Sequence, residues 1–369
     1  MPPDPPPPTL SDTQIISACH RLYKYPPYKW QFDAIRDLTD AHQLSKPTNM
    51  LVVRPTGGGK SLVYQVTASL IKGVTLFISP LLALASDQSR KLQQKTTDIS
   101  NVCSIHLDEL NSNSIETIAQ DISELQEPDT DNIRLSIILF ASPQFLVNAK
   151  GKPILDTLLN PECSTLHMVV LDEVHIASHF GNSFRSEFRL LKSKLYKKLP
   201  SCCKITLFMT GTCTETVLNH FQRMLGVTVN NYHWPTHDEM KHRSVSISLK
   251  YSSRTLKEVT ELLTPLLKSG TIDNPKKAII YSNMRNRIVN LGKRLESTLD
   301  MDDELYLVDG LVIHGMHSKE EKSAYLNVFM SERNTALGDY RVLLATSGVA
   351  NAGIDSNQVY SVIRTDFPP

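Results

Sequence analysis

The stretch Leu51-Val52-Val53-Arg54-Pro55-Thr56-Gly57-Gly58-Gly59-Lys60-Ser61 decides how this chain is read. An apolar run suited to a buried strand passes into three glycines, a lysine and a serine, and the apolar Leu62, Val63, Tyr64 and Val66 then open a helix. Glycines let backbone N–H groups approach phosphate oxygens, Lys60 has the reach for β and γ oxygens, and the Ser61 hydroxyl can ligate Mg²⁺. The positive end of the helix dipole falls at the same place. A glycine-rich turn without function is the bland alternative, and the strand before it and apolar helix after it speak against that. A phosphate cradle for a nucleotide is therefore the first expectation.

Around this loop, apolar β-rich runs fall at 50–53, 74–78, 136–140, 168–171 and 205–209, each followed by polar or helical sequence. Two helical stretches come first, at 12–23 and about 30–42, separated by the Pro26-Pro27 break. Such alternation predicts an α/β fold with a parallel sheet covered by helices on both faces. The pattern lapses at 226–244 around Asn230, Asn231, Pro235 and His237, and resumes with runs at 245–249, 278–281, 311–313, 342–345 and 360–363. Two tandem domains are expected, 11–228 and 229–369, behind a disordered proline-rich leader at 1–10.

Composition bounds the function classes. With 369 residues, 41% hydrophobic and 21% charged, the chain reads as soluble and globular, long enough for two cores. A net charge of +1 means that any nucleic-acid contact comes from local patches. Cys19, Cys103, Cys163, Cys202, Cys203 and Cys213 form no C-x-x-C pair, so no zinc site is expected and a reducing compartment is the simpler reading. The N-terminal prolines suit a short leader better than an SH3 or WW ligand. They lack a signal peptide's charged and apolar regions, and no run is long enough to span a membrane, so an intracellular protein is expected.

Met168-Val169-Val170-Leu171-Asp172-Glu173-Val174-His175 is an apolar strand ending in two carboxylates. Opposite a phosphate-loop lysine, Asp172 is suited to hold Mg²⁺ and Glu173 to polarise an attacking water. Alone, an Asp-Glu pair is a common solvated loop feature; with Lys60 and Ser61 upstream it becomes a site.

These residues resemble superfamily 2 helicases, and within them the RecQ family. Arg54 to Ser61 with Tyr64-Gln65 is similar to motif I, including an arginine where the general P-loop has glycine. Phe77-Ile78-Ser79-Pro80-Leu81-Leu82-Ala83-Leu84 with Asp87-Gln88 resembles motif Ia, and Ala141 to Leu146 stands where motif Ib is expected. Asp172 to His175, followed by Ile176 to Arg185, is similar to the family's Asp-Glu-x-His box and the aromatic-rich loop behind it. Met209-Thr210-Gly211-Thr212 stands at motif III, with Gly211 where the family usually has alanine. Ile279 to Ser282 with Arg285 resembles motif IV, His314-Gly315-Met316 the next motif, and Ala345 to Gly348 with Ala352 to Asp355 motif V. Each motif alone has a core or turn explanation; seven in order on alternating strand ends do not.

The resemblance implies two RecA-like lobes of the P-loop NTPase type, with ATP and Mg²⁺ in the cleft and single-stranded or partly duplex DNA across both. It implies ATP-driven translocation from 3′ to 5′ and a nuclear location. Nucleotide contacts fall on Gln31, Thr56, Gly57, Gly58, Gly59, Lys60, Ser61, Gly353 and Asp355, with Mg²⁺ on Ser61 and Asp172. Catalysis falls on Lys60, Asp172, Glu173 and His175. Nucleic-acid contacts fall on Ser79, Pro80, Phe180, Phe184, Arg185, Thr210, Thr212 and Thr346. Gln31 occupies the adenine-reading position, and Tyr28 or Trp30 is available to stack on the base. The family's Gln-x-x-Gly-Arg-x-Gly-Arg helix would follow the last strand. The chain ends before it at Phe367-Pro368-Pro369, so the second domain is expected to be incomplete, with Arg364 a poor substitute. Three rivals stay open: an RNA helicase, disfavoured by Asp-Glu-Val-His in place of Asp-Glu-Ala-Asp; a protein that binds ATP and nucleic acid without efficient turnover; and a fold kept only for partner binding.

Overall fold

The computed structural model describes residues 10–55, 57–97, 101–125, 135–162, 164–179, 185–236, 248, 255–269, 276–299, 311–330, 341–346 and 359–366. The chain divides into two compact units, Met1–Ser244 and Val245–Pro369.

In the first unit, strands β1 (Thr48–Val53), β2 (Gly73–Ile78), β3 (Val102–His106), β4 (Ser136–Ala141), β5 (Leu166–Leu171), β6 (Ile205–Thr210) and β7 (Asn231–His233) form one sheet in the order β3-β4-β2-β5-β6-β1-β7. Every pairing is parallel. The two-residue period of a strand divides each central run between two cores. Met50, Val52, Phe77, Met168 and Val170 face one core, closed by helices Asp12–Tyr23, Lys29–Gln43 and Lys60–Ile71 through Ile15, Ile35, Leu38 and Leu62. Leu51, Val53, Leu76, Ile78, Val169 and Leu171 face the other, closed by Ile115, Phe188, Leu191 and Phe221 of helices Ser112–Glu124, Arg185–Lys194 and Glu215–Leu225. The expected strands and the two N-terminal helices are found in place.

Two strands were not expected. β3 carries Cys103, Ser104 and His106 among its five residues, and β7 is a three-residue edge strand of Asn, Tyr and His, so neither has an apolar run to announce it. Because β7 pairs with β1, the first unit continues beyond the expected division at 228/229.

The second unit has β8 (Lys277–Ser282), β9 (Leu311–Ile313), β10 (Val342–Thr346) and β11 (Val359–Arg364), all parallel, in the order β11-β8-β10-β9. Helices Thr255–Lys268 and Arg285–Leu299 cover one face through Leu263, Leu267, Ile288 and Leu295, and Phe329 of helix Lys319–Met330 packs with Ile279, Ile313 and Leu343 on the other. Apart from Leu10, the expected leader at 1–10 and, apart from residue 248, the expected strand at 245–249 lie outside the described residues. Among the described residues no helix is long and apolar enough to cross a membrane.

Candidate nucleotide and nucleic-acid site

β5, β6 and β1 are neighbours in the sheet, so the segments leaving their C-terminal ends lie side by side although they are far apart in sequence. In open parallel sheets this is the end at which ligands bind.

After β1 the chain turns at Gly57 (φ 76°) and Gly59 (φ 82°), both left-handed, and Gly59 caps helix Lys60–Ile71. A Cβ on Gly59 would lie 2.5 Å from Gln31 Nε2, and one on Gly58 2.9 Å from the Pro55 carbonyl oxygen, whereas one on Gly57 would meet nothing within 4 Å. The loop is closed against the protein at Gly58 and Gly59 and open at Gly57, as a cradle for phosphate oxygens must be. Lys60 Nζ donates to the carbonyl oxygens of Arg54 (3.0 Å) and Pro55 (3.3 Å), two neutral acceptors that a phosphate would outbid. Ser61 follows in the first helical turn.

β5 delivers Asp172, which is 3% exposed, and Glu173, whose N–H donates to Asp172 Oδ1 at 2.9 Å. Burial, then the neighbouring Glu173 charge, pushes the Asp172 carboxyl up to about 7 against the pull of Lys60. A buried carboxylate held against its preference is suited to a cation. Burial alone would also raise Glu173, but the His175 hydrogen bond, the Lys60 and His175 charges and the Gly211 N–H together hold it below the usual carboxylate range. The two carboxyls thus differ in character, one waiting for a positive partner and one already ionised. Glu173 also sits at φ 49°, a left-handed conformation uncommon for its residue type, which turns the chain sharply after Asp172.

His175 joins this pair to the end of β6. Its Nδ1 lies 3.1 Å from Glu173 Oε2 and 2.8 Å from Thr210 Oγ1. A carboxylate only accepts, so Nδ1 carries a proton. The Thr210 hydroxyl donates to the Thr212 carbonyl oxygen (2.9 Å) and accepts from the Thr212 N–H (3.3 Å), which fixes the turn beyond β6. Thr210, Gly211 and Thr212 are therefore tied to the carboxylate end of β5 by one imidazole.

Gln31 is buried next to the phosphate loop. Its Nε2 donates to the Gly59 carbonyl oxygen (3.0 Å) and its Oε1 accepts from the Tyr28 N–H (2.7 Å), so the amide joins the loop to the start of helix Lys29–Gln43. Trp30 is occupied by the Arg54 guanidinium, 4.5 Å from its ring centroid, and packs on the core, whereas Tyr28 is 68% exposed. Of the two aromatics left open above, Tyr28 is the one available to a base. The Arg54–Trp30 contact was not foreseen, because the two residues lie far apart in sequence and no local pattern links them.

Ser79 and Pro80 are buried, and Ser79 Oγ accepts from the Leu81 N–H at 3.2 Å, so they shape the turn after β2. Any strand contact there falls on what that turn presents. Thr346 ends β10 in the second unit. Arg364 is engaged with Asn283 Oδ1 (2.8 Å) and Asp366 (3.5 Å). Thr56, Phe180, Phe184, Gly353 and Asp355, with the side chain of Arg185, lie outside the described residues.

A glycine-turned phosphate loop after β1, with a buried carboxylate after β5 and a threonine turn after β6, defines a P-loop nucleotide-binding domain. The DEAD/DEAH box helicase model matches residues 30–220, and the chain belongs to that family. A Caenorhabditis briggsae protein named for ATP-dependent DNA helicase Q1 is 32% identical over 220 residues, 58% of this chain and 31% of that protein. The Synechocystis ATP-dependent DNA helicase RecQ is 29% identical over 189 residues, 49% of this chain and 34% of that protein. The chain thus spans about a third of the length of these relatives. Among solved structures, the DEAD-box helicase Mss116 bound to ssRNA and UDP-BeF matches with a TM-score of 0.67 at 16% identity, over 98% of this chain and 68% of that one, a likeness of fold.

Proposed function

We propose that this chain is the motor part of a RecQ-type, ATP-dependent DNA helicase that moves from 3′ to 5′ on single-stranded DNA. The observation that carries this reading is the convergence of Lys60, Asp172, Glu173 and the His175–Thr210 bond at adjacent strand ends. The DNA helicase names of the sequence relatives favour DNA over RNA.

In this reading Gln31 reads the adenine edge and Tyr28 stacks on the base. The N–H groups of 57–59, with Thr56, cradle the phosphates, and Lys60 leaves its two carbonyl acceptors for the β and γ oxygens. Ser61 and Asp172 hold Mg²⁺, which when bound neutralises charge on the transferred phosphoryl group. Glu173, ionised, orients the attacking water and accepts its proton. His175 reports the state of Glu173 to Thr210 and Thr212, which with Ser79, Pro80, Phe180, Phe184 and Arg185 are the first unit's DNA contacts. For the second unit, Gly353 and Asp355 are taken as nucleotide contacts and Thr346 as a DNA contact, and a nuclear location accompanies the function.

The test is steady-state phosphate release with Mg²⁺ and ATP, with and without single-stranded DNA or RNA of one sequence, against Lys60→Ala. DNA-stimulated release that Lys60→Ala abolishes is expected. A Lys60→Ala chain with unchanged nucleotide affinity and turnover would overturn the reading, and binding without release would leave a nucleotide-gated binding protein.

A further inference from the structure

Tyr64 lies one helical turn beyond Lys60 and Ser61 and is fully buried, yet its hydroxyl is fully used. The phenol donates to Gln88 Oε1 at 2.6 Å and accepts from Gln65 Nε2 at 3.0 Å. Gln65 Oε1 in turn accepts from the Tyr23 hydroxyl at 2.5 Å. Four side chains on three helices, Asp12–Tyr23, Lys60–Ile71 and Leu82–Thr96, are thereby joined in one row, buried at Tyr64 and Gln65 and half-buried at Tyr23 and Gln88.

The ring is fixed as firmly as the hydroxyl. It packs 4.7 Å from Phe77 and 6.5 Å from Phe140, with Phe77 and Phe140 themselves 4.9 Å apart. Phe77 lies in β2, two residues before the Ser79 turn that leads into helix Leu82–Thr96. Tyr64 therefore touches both ends of the segment 77–88, through its ring at Phe77 and through its hydroxyl at Gln88. Burial pushes the phenol far above its ordinary range, and the Asp172 carboxylate is near enough to add to that rise. The hydroxyl keeps its proton and can only donate onward to Gln88.

We propose that the Tyr64–Gln88 hydrogen bond is a positioning contact that carries occupancy of the phosphate loop to the segment 79–88 and so sets its geometry for single-stranded DNA. This rests on the functional reading above. A shift of helix Lys60–Ile71 when Lys60 exchanges loop carbonyls for phosphate moves the phenol, and Gln88 follows through the 2.6 Å hydrogen bond that its Oε1 accepts from it. The route is distinct from the His175–Thr210 bond, since it runs through Phe77 of β2 and Gln88 rather than through Thr210 of β6. Sequence reading had noted Tyr64, Gln65 and Gln88 only as members of two motifs, without a link between them.

The experiment measures the affinity of the full chain for fluorescein-labelled oligothymidylate, with and without AMP-PNP and Mg²⁺, and the AMP-PNP affinity without DNA. In the native chain the nucleotide is expected to change DNA affinity at least about fivefold, the lower end of ordinary coupling between sites. Tyr64→Phe, which keeps the ring packing, and Gln88→Leu are expected to bring that factor towards one while each separate affinity stays within about twofold. Gln88→Glu, which keeps an acceptor for the phenol, is expected to retain the factor. Tyr23→Phe removes a similar partly buried hydrogen bond outside the Tyr64–Gln88 link and is expected to lower thermal stability without changing the factor. Retention of the native factor in Tyr64→Phe and Gln88→Leu, or an equal loss in Tyr23→Phe, overturns the proposal and leaves the functional reading standing. A native chain that binds both ligands with no mutual effect, or binds neither, overturns both.

Discussion

β2 and β6 of the first unit bury every residue, whereas β11 of the second alternates between half-buried and exposed positions and leaves Tyr360 54% and Val362 63% exposed. All three are apolar runs in sequence, so apolar content does not by itself decide burial. Position in the sheet does. β2 lies between β4 and β5 and β6 between β5 and β1, while among the described residues β11 has β8 alone beside it. An inner parallel strand is covered by helices on both faces, and an edge strand escapes part of that cover. The candidate site draws its loops from inner strands, where the backbone is best fixed.

The comparison is sharpest for Phe77→Ala, which removes a fully buried ring from β2 and should cost about 3–5 kcal/mol, read as a lower urea midpoint at unchanged slope. A loss below about 1 kcal/mol would mean that the inner strands are not packed as described. Acid should act next most strongly. His42 is pushed down to about 4, first by burial and then by the His167 charge, with the two rings 4.6 Å apart. The unfolded chain takes up this proton near 6.5, so the contribution is full above that pH and is lost as pH falls from about 6.5 towards 4. Its size is on the order of 2 kcal/mol after allowing for the ring's partial exposure. Thermal melts from pH 7.5 to 4.5 should show a loss that His42→Gln reduces. At the small end, Val362→Thr on the exposed face of β11 should change stability by no more than about 0.5 kcal/mol. A change as large as that of Phe77→Ala would erase the distinction between inner and edge strands.

What the sequence disclosed follows the same division. Inner strands announce themselves as unbroken apolar runs, and the loop after β1 and the carboxylates after β5 could be read because their residue types have few other uses in combination. β3 and β7 were hidden because edge strands tolerate Cys103, His106, Asn231 and Tyr232. The sequence offered the candidate site as a set of residues and said nothing of their contacts. That Trp30 is taken by Arg54, that Ser79 is turned inward, and that one imidazole serves both Glu173 and Thr210 depend on which strand lies beside which, and no local pattern encodes that.

The sheet order also sets a timetable for synthesis. β1 pairs with β6 and β7 and with no other strand among the described residues, and β6 begins roughly 150 residues after β1 ends. At about 5–20 residues per second, on the order of ten to thirty seconds of translation pass before β1 has a neighbour to accept it. The glycine loop emerges from the ribosome well before β6, and it has no fixed floor until Thr210 is made. Nucleotide can therefore reward only the finished sheet, and the nascent chain must keep this apolar strand out of trouble without that help.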